Sequence, residues 1–120
     1  MASPFPEVAT RALPKHKVEA VRHVVDRKLV VAQAHDALGA LKPGTEFATE
    51  FTDHMIFKPG PKGTVVVKNA FGDPVYVVAQ VGKGRVVFSG SYYGYWKPLA
   101  GAERDAFFAL LHWLKGPAAK

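Results

Sequence analysis

The apolar positions of this chain change period near its middle. From Lys15 to about Arg27, Val18, Val21, Val24 and Val25 recur at helical spacing with charged residues between them, which predicts a helix. Valine is β-branched and stiff in a helix, so packing would have to hold this one. Leu29-Val30-Val31-Ala32 can continue that helix or form a short buried strand, and the strand is preferred. His35-Asp36-Ala37-Leu38-Gly39 reads as a turn or a single helical turn, closed by Leu41-Lys42-Pro43-Gly44.

From residue 45 the period is two. Thr45 to Phe51 alternates, with Phe47 and Phe51 on one edge. Pro59-Gly60-Pro61-Lys62-Gly63 is a loop, and Thr64 to Lys68 is a strand. Asn69 to Pro74 is a turn in which Gly72 is free to take positive φ. Val75 to Val81 and Arg85 to Ser89 are two further strands, joined through Gly82-Lys83-Gly84. Strands joined so closely must run antiparallel. A loop of small and aromatic residues follows from Gly90 to Gly101. The last element is a helix from about Ala102 to Leu114, with Phe107, Leu110, Leu111 and Leu114 as its apolar stripe and Gly116-Pro117 as its stop. Glu103 and Asp105 in its first turn favour the helix N-terminus electrostatically. The expected organisation is an irregular arm over 1–14, one α/β domain over 15–116 and a tail over 117–120.

Composition narrows the class. A chain of 120 residues suits one compact domain. Its 48% hydrophobic and 22% charged content is that of a globular protein. No apolar run approaches the ~20 residues that span a bilayer, and MASPFPEVAT lacks the basic start and apolar core of a signal peptide. A soluble, cytoplasmic protein without a membrane partner is expected. Cysteine is absent, which removes disulfides, thiolate metal ligands and a cysteine nucleophile together. Most of the net charge of +6 arises in the second half, where 8 basic residues meet 3 acidic ones; the first half has 8 basic and 7 acidic. Those cations are scattered singly, so a solvated basic face is expected and a nucleic-acid partner is not.

The stretch DPVYVVAQVGKGRVVFSGSYYGY, followed by LAGAERDAFFALLHWLKG, resembles the C-terminal part of class I glutamine amidotransferase-like domains, most of all their ThuA-like branch. Upstream, AHDALGALKPGTEF is similar to their His-Pro-x-x-x-Gly-Leu segment, and Phe51 to His54 to their Asp-Glu-x-Tyr segment. The resemblance covers roughly residues 33 to 115. It implies a partial flavodoxin-like α/β sandwich with an antiparallel β-hairpin and a C-terminal helix, and a link to carbohydrate metabolism. Full domains of this kind are longer and place parallel βα units and a nucleophile elbow ahead of the matching region. This chain therefore reads as a C-terminal half, as a natural short form or as a piece that pairs with something else.

Catalytic relatives use a cysteine activated by a histidine that follows the hairpin strand. Here the cysteine is missing and Tyr95 stands near the expected histidine position, so no catalytic residue is assigned. Ser89 and Ser91 lie on the wrong side of the strand for a nucleophile elbow. His35, Asp36, Asp53 and His54 lack a recognised metal-ligand spacing, so no metal or other cofactor is assigned. Tyr92, Tyr93, Tyr95 and Trp96 can cap the core, anchor an interface or stack on a sugar ring. The expected function is a non-catalytic binding or assembly module. Its partners would be a second copy, or another chain completing its sheet, and a sugar-like ligand at Tyr92, Tyr93, Tyr95, Trp96, His35, Asp53 and His54. The alternatives are a carbohydrate-active enzyme with a sugar pocket at the same loop and a basic nucleic-acid-binding domain.

Overall fold

A computed structural model describes residues 18–92 and 98–116. It is an α/β fold of antiparallel sheets and one C-terminal helix. The strands are β1 (Val18–Val24), β2 (Lys28–Val31), β3 (Glu46–Ala48), β4 (His54–Pro59), β5 (Thr64–Asn69), β6 (Pro74–Val81) and β7 (Gly84–Ser89). A 3-10 turn covers Asp36–Leu38, and α1 is Gly101–Leu114. Five strands form one sheet in the order β3-β2-β5-β6-β7, and β1 pairs with β4 in a separate ribbon. Every pair among these strands is antiparallel.

The hairpin of β6 and β7 follows its local sequence. Val81 pairs with Gly84, which leaves Gly82 and Lys83 as a two-residue loop. Gly82 takes φ 58°, the positive value that a primed hairpin turn requires at its first loop position. Gly72 likewise takes φ 88° in the turn between β5 and β6. Asn69 shapes that turn, its side-chain oxygen accepting from the backbone N–H groups of Phe71 and Asp73, both at 2.9 Å.

Val75 to Ala79 on β6 are buried without a break, so both faces of this strand are covered. Tyr76 and Val78 join the main core with Leu29, Val31, Leu38, Val66, Ala106, Leu110 and Trp113. Val77 faces a smaller cluster with Phe57 of β4 and Phe88 of β7, the two phenyl rings 6.2 Å apart. The ribbon is stitched to the sheet at Gly90. Its carbonyl accepts from Met55 N–H at 2.9 Å, and its own N–H donates to Val75 O at 2.8 Å.

Three expectations change. The helix expected over Lys15 to Arg27 is strand β1 from Val18 to Val24, followed by an irregular link over 25–27. Ala20 faces Phe57 and Arg22 faces Ile56, so Val21 is the extra residue of a β-bulge. The bulge breaks the alternation of the strand, and the valines fall three apart as they would along a helix. Strand β4 lies where no strand is expected. On α1 the core takes Glu103, Ala106, Leu110 and Trp113. Leu111 and Leu114 are exposed, so only Leu110 of the expected stripe is buried. The arm over 1–14 and the tail over 117–120 lie outside the described residues.

Candidate binding site

A cleft of about 360 Å³ opens where the β6–β7 hairpin meets the C-terminal end of α1, among His35, Asp36, Lys62, Thr64, Val78, Ala79, Gln80, Arg85 and Trp113. The ladder dictates much of this lining. Gln80 lies opposite Arg85, and Thr64 lies opposite Val78. Val78 and Gln80 are two apart on β6 and share a face, so these two pairs form one patch. Lys62 enters from the turn before β5, while His35 and Asp36 come from the 3-10 turn.

Arg85 is held before any ligand arrives. Its guanidinium lies 4.9 Å from the centre of the Trp113 ring, and Nη1 donates to Trp113 O at 2.7 Å. A cation on a terminal helix carbonyl is favoured by the helix dipole, and one over an indole by the ring quadrupole. His35 meets the same indole edge-on at 5.6 Å. Its Nδ1 accepts from Ala37 N–H at 3.0 Å and caps the 3-10 turn. The ring proton therefore sits on Nε2, leaving that nitrogen as a donor. The cleft thus combines one anchored cation, Arg85, a second cation, Lys62, amide and hydroxyl groups and one carboxylate. These groups have the donors and acceptors to hydrogen-bond a polar molecule, and no hydrogen-bonded nucleophile–base pair lies among them. The serines after β7 are committed to structure: Ser91 Oγ is 3.0 Å from Tyr76 Oη, and Ser89 Oγ accepts from Ser91 N–H at 3.2 Å.

The residues expected to bind together are separated. His35 lines the cleft. Tyr92 lies elsewhere, with its hydroxyl on His23 Nε2 and its ring 5.0 Å from Phe51. Burial, and then the negative charge of Asp53, push the Tyr92 phenol above its usual range. His54 is fully buried. Its Nδ1 donates to Asp26 O at 3.0 Å, and its Nε2 accepts from Asn69 Nδ2 at 3.2 Å. The amide orientation follows from Asn69 Oδ1, which is already engaged as an acceptor in the turn. Both ring nitrogens are occupied, so His54 serves the interior and has nothing left for a ligand or a metal. Tyr93, Tyr95 and Trp96 lie outside the described residues. Among the described residues, no group of three or more His, Asp or Glu side chains could hold a metal ion.

The sequence alone does not mark Arg85, Gln80, Thr64, Lys62 or Trp113 as ligand residues. The Gly82-Lys83-Gly84 connection marks the hairpin, but Gln80 faces Arg85 only because the loop is two residues long, with Val81 paired to Gly84. Trp113 and His35 reach the cleft only through tertiary packing.

Glu103 is a second buried polar feature. It is 1% exposed, Oε1 accepts from Glu50 N–H at 3.0 Å, and Oε2 has no hydrogen-bond partner among the described residues. Burial raises its pKa, the Glu50 charge raises it further, and the Glu50 N–H bond and Arg27 oppose the rise. The Glu50 N–H bond to Glu103 ties the first turn of α1 to the segment that follows β3, and Arg27 Nε donates to Thr49 O in that same segment at 2.7 Å. No family model, curated protein or solved structure matches this chain.

Proposed function

We propose that this chain is a non-catalytic binding module that holds a sugar-like ligand in the cleft beside Arg85 and Trp113. The observation that carries the reading is the cleft itself. Its volume of about 360 Å³ falls within the usual range for small-molecule sites. Its lining converges polar groups on a pre-positioned guanidinium. The absence of cysteine from the chain argues against amidotransferase chemistry. Membership of the ThuA-like branch, with a partial flavodoxin-like architecture and a role in carbohydrate metabolism, belongs to the same proposal. It is supported by the hairpin-loop-helix string of residues 73 to 116. A cytoplasmic setting is part of it too. Among the described residues no helix is long and apolar enough to cross a membrane.

The test is an amide chemical-shift titration of the full chain with a panel of monosaccharides and their acid derivatives. Saturable shifts at Thr64, Gln80 and Arg85 are expected. A panel that leaves these amides unmoved, or moves only distant ones, refutes the reading.

Assembly is the second reading, favoured by one observation. Phe108, Leu111 and Leu114 stand exposed on α1, and surface apolar groups of this size on one helix are used for association. Light scattering coupled to size exclusion tests it. A strictly monomeric 13.0 kDa species across the concentration range sinks it.

A further inference from the structure

We infer that the cleft reads an acid group on its ligand, so that the molecule it takes is a small hydroxylated carboxylate or phosphate. The inference rests on the binding reading above. Two cations, Lys62 and Arg85, line the cleft against one carboxylate, Asp36. Among the described residues the ion pairs are Lys28 with Glu46 and Arg104 with Asp105, so neither cleft cation is neutralised by a protein carboxylate.

Arg85 uses one N–H on Trp113 O, and a guanidinium has five to give. The indole beneath and the carbonyl beside it fix the fork in place, which lowers the entropy lost when a second acceptor binds. A carboxylate or a phosphate is the acceptor that this geometry favours, since charge-assisted bonds to Arg are short and strong. The other groups suit hydroxyls. His35 Nε2 and Gln80 can donate, Thr64 can do both, and Asp36 can only accept when ionised. The cleft admits a molecule of monosaccharide size. The remaining basic residues of the second half are scattered singly along the sequence, which disfavours a long polyanion as the occupant.

The experiment titrates the full chain with gluconate, glucose 6-phosphate, glucose and inorganic phosphate, following the amides of Thr64, Gln80 and Arg85. Gluconate or glucose 6-phosphate is expected to bind about ten-fold or more tighter than glucose. That binding should weaken several-fold between low salt and about 0.3 M salt. The tighter of the two acids identifies the acid group. Lys62→Gln, in an exposed turn, should lower the preference for the acid several-fold. Arg85→Gln should abolish the preference, and Lys83→Gln, a neighbouring cation outside the cleft, should keep it. Glucose binding as tightly as both acids overturns the acid inference and leaves the cleft as a site. No shift with any of the four overturns the cleft reading as well. Inorganic phosphate binding as tightly as glucose 6-phosphate overturns the role given to the hydroxyls.

Discussion

Gly90→Ala is the sharpest test of how the ribbon is joined to the sheet. A Cβ built on Gly90 would overlap the Met55 carbonyl oxygen and stand 2.9 Å from its carbon and 3.2 Å from its nitrogen. These are backbone atoms, so no side chain can turn aside. The strand end must move away from β4 instead. That movement threatens two hydrogen bonds, Met55 N–H to Gly90 O at 2.9 Å and Gly90 N–H to Val75 O at 2.8 Å. Each buried group left unpaired costs about 1–3 kcal/mol. Loosened packing of Phe57 on Val77 and Phe88 adds to this. The reduced freedom of the unfolded chain returns only about 0.4–1 kcal/mol. A net loss of about 3 kcal/mol or more is expected. Gly84→Ala is the control, because its Cβ would come no closer than 3.4 Å, to Val81 O. It should change stability by less than about 1 kcal/mol. Urea unfolding followed by tryptophan emission and far-UV dichroism measures both. A Gly90→Ala protein within about 1 kcal/mol of the parent at unchanged m would refute the close-approach argument.

Asn69→Ala removes the acceptor of two turn N–H groups and the donor to buried His54, and should cost about 2–3 kcal/mol in the same assay. A loss below about 0.5 kcal/mol would show that water replaces the network. Leu110→Ala should cost about 2–5 kcal/mol and Leu111→Ala less than about 0.5, since only the first packs in the core; similar losses would contradict the observed face of α1. Glu103 makes stability depend on pH in a defined direction. Its folded pKa is raised, so the folded state holds the proton more tightly than the unfolded chain. The stabilisation is complete below the ordinary glutamate value of 4.5 and is lost as pH rises through the folded value. Melting temperature against pH should show this fall, and Glu103→Gln should flatten it above 4.5; an unchanged profile in the variant would assign the dependence to another group.

The parts of the fold that were legible in the sequence are those dictated within a few residues. Gly82-Lys83-Gly84 marks a tight hairpin connection, which the structure narrows to a two-residue loop, and the turn chemistry of Asn69 to Pro74 separates β5 from β6. The span of α1 follows from its propensity and from Gly116 beyond its end. Each of these is a local backbone requirement that the residues carry wherever they stand. Tertiary structure decided the rest. Val18, Val21 and Val24 read as helical because a bulge at Val21 imitates helical spacing, and only pairing with β4 makes that bulge favourable. Leu111 is as apolar as Leu110, and which of them enters the core depended on where the sheet lies against α1. His54 sits in a plausible ligand motif, yet packing gave both of its nitrogens to Asp26 and Asn69. The cleft draws on residues 35, 62, 85 and 113, which no short window contains. Local sequence set the turns, the hairpin and the helix. Which side chains face inward, and which of them meet around a ligand, came from long-range burial, because only the folded chain brings together residues that lie far apart along it.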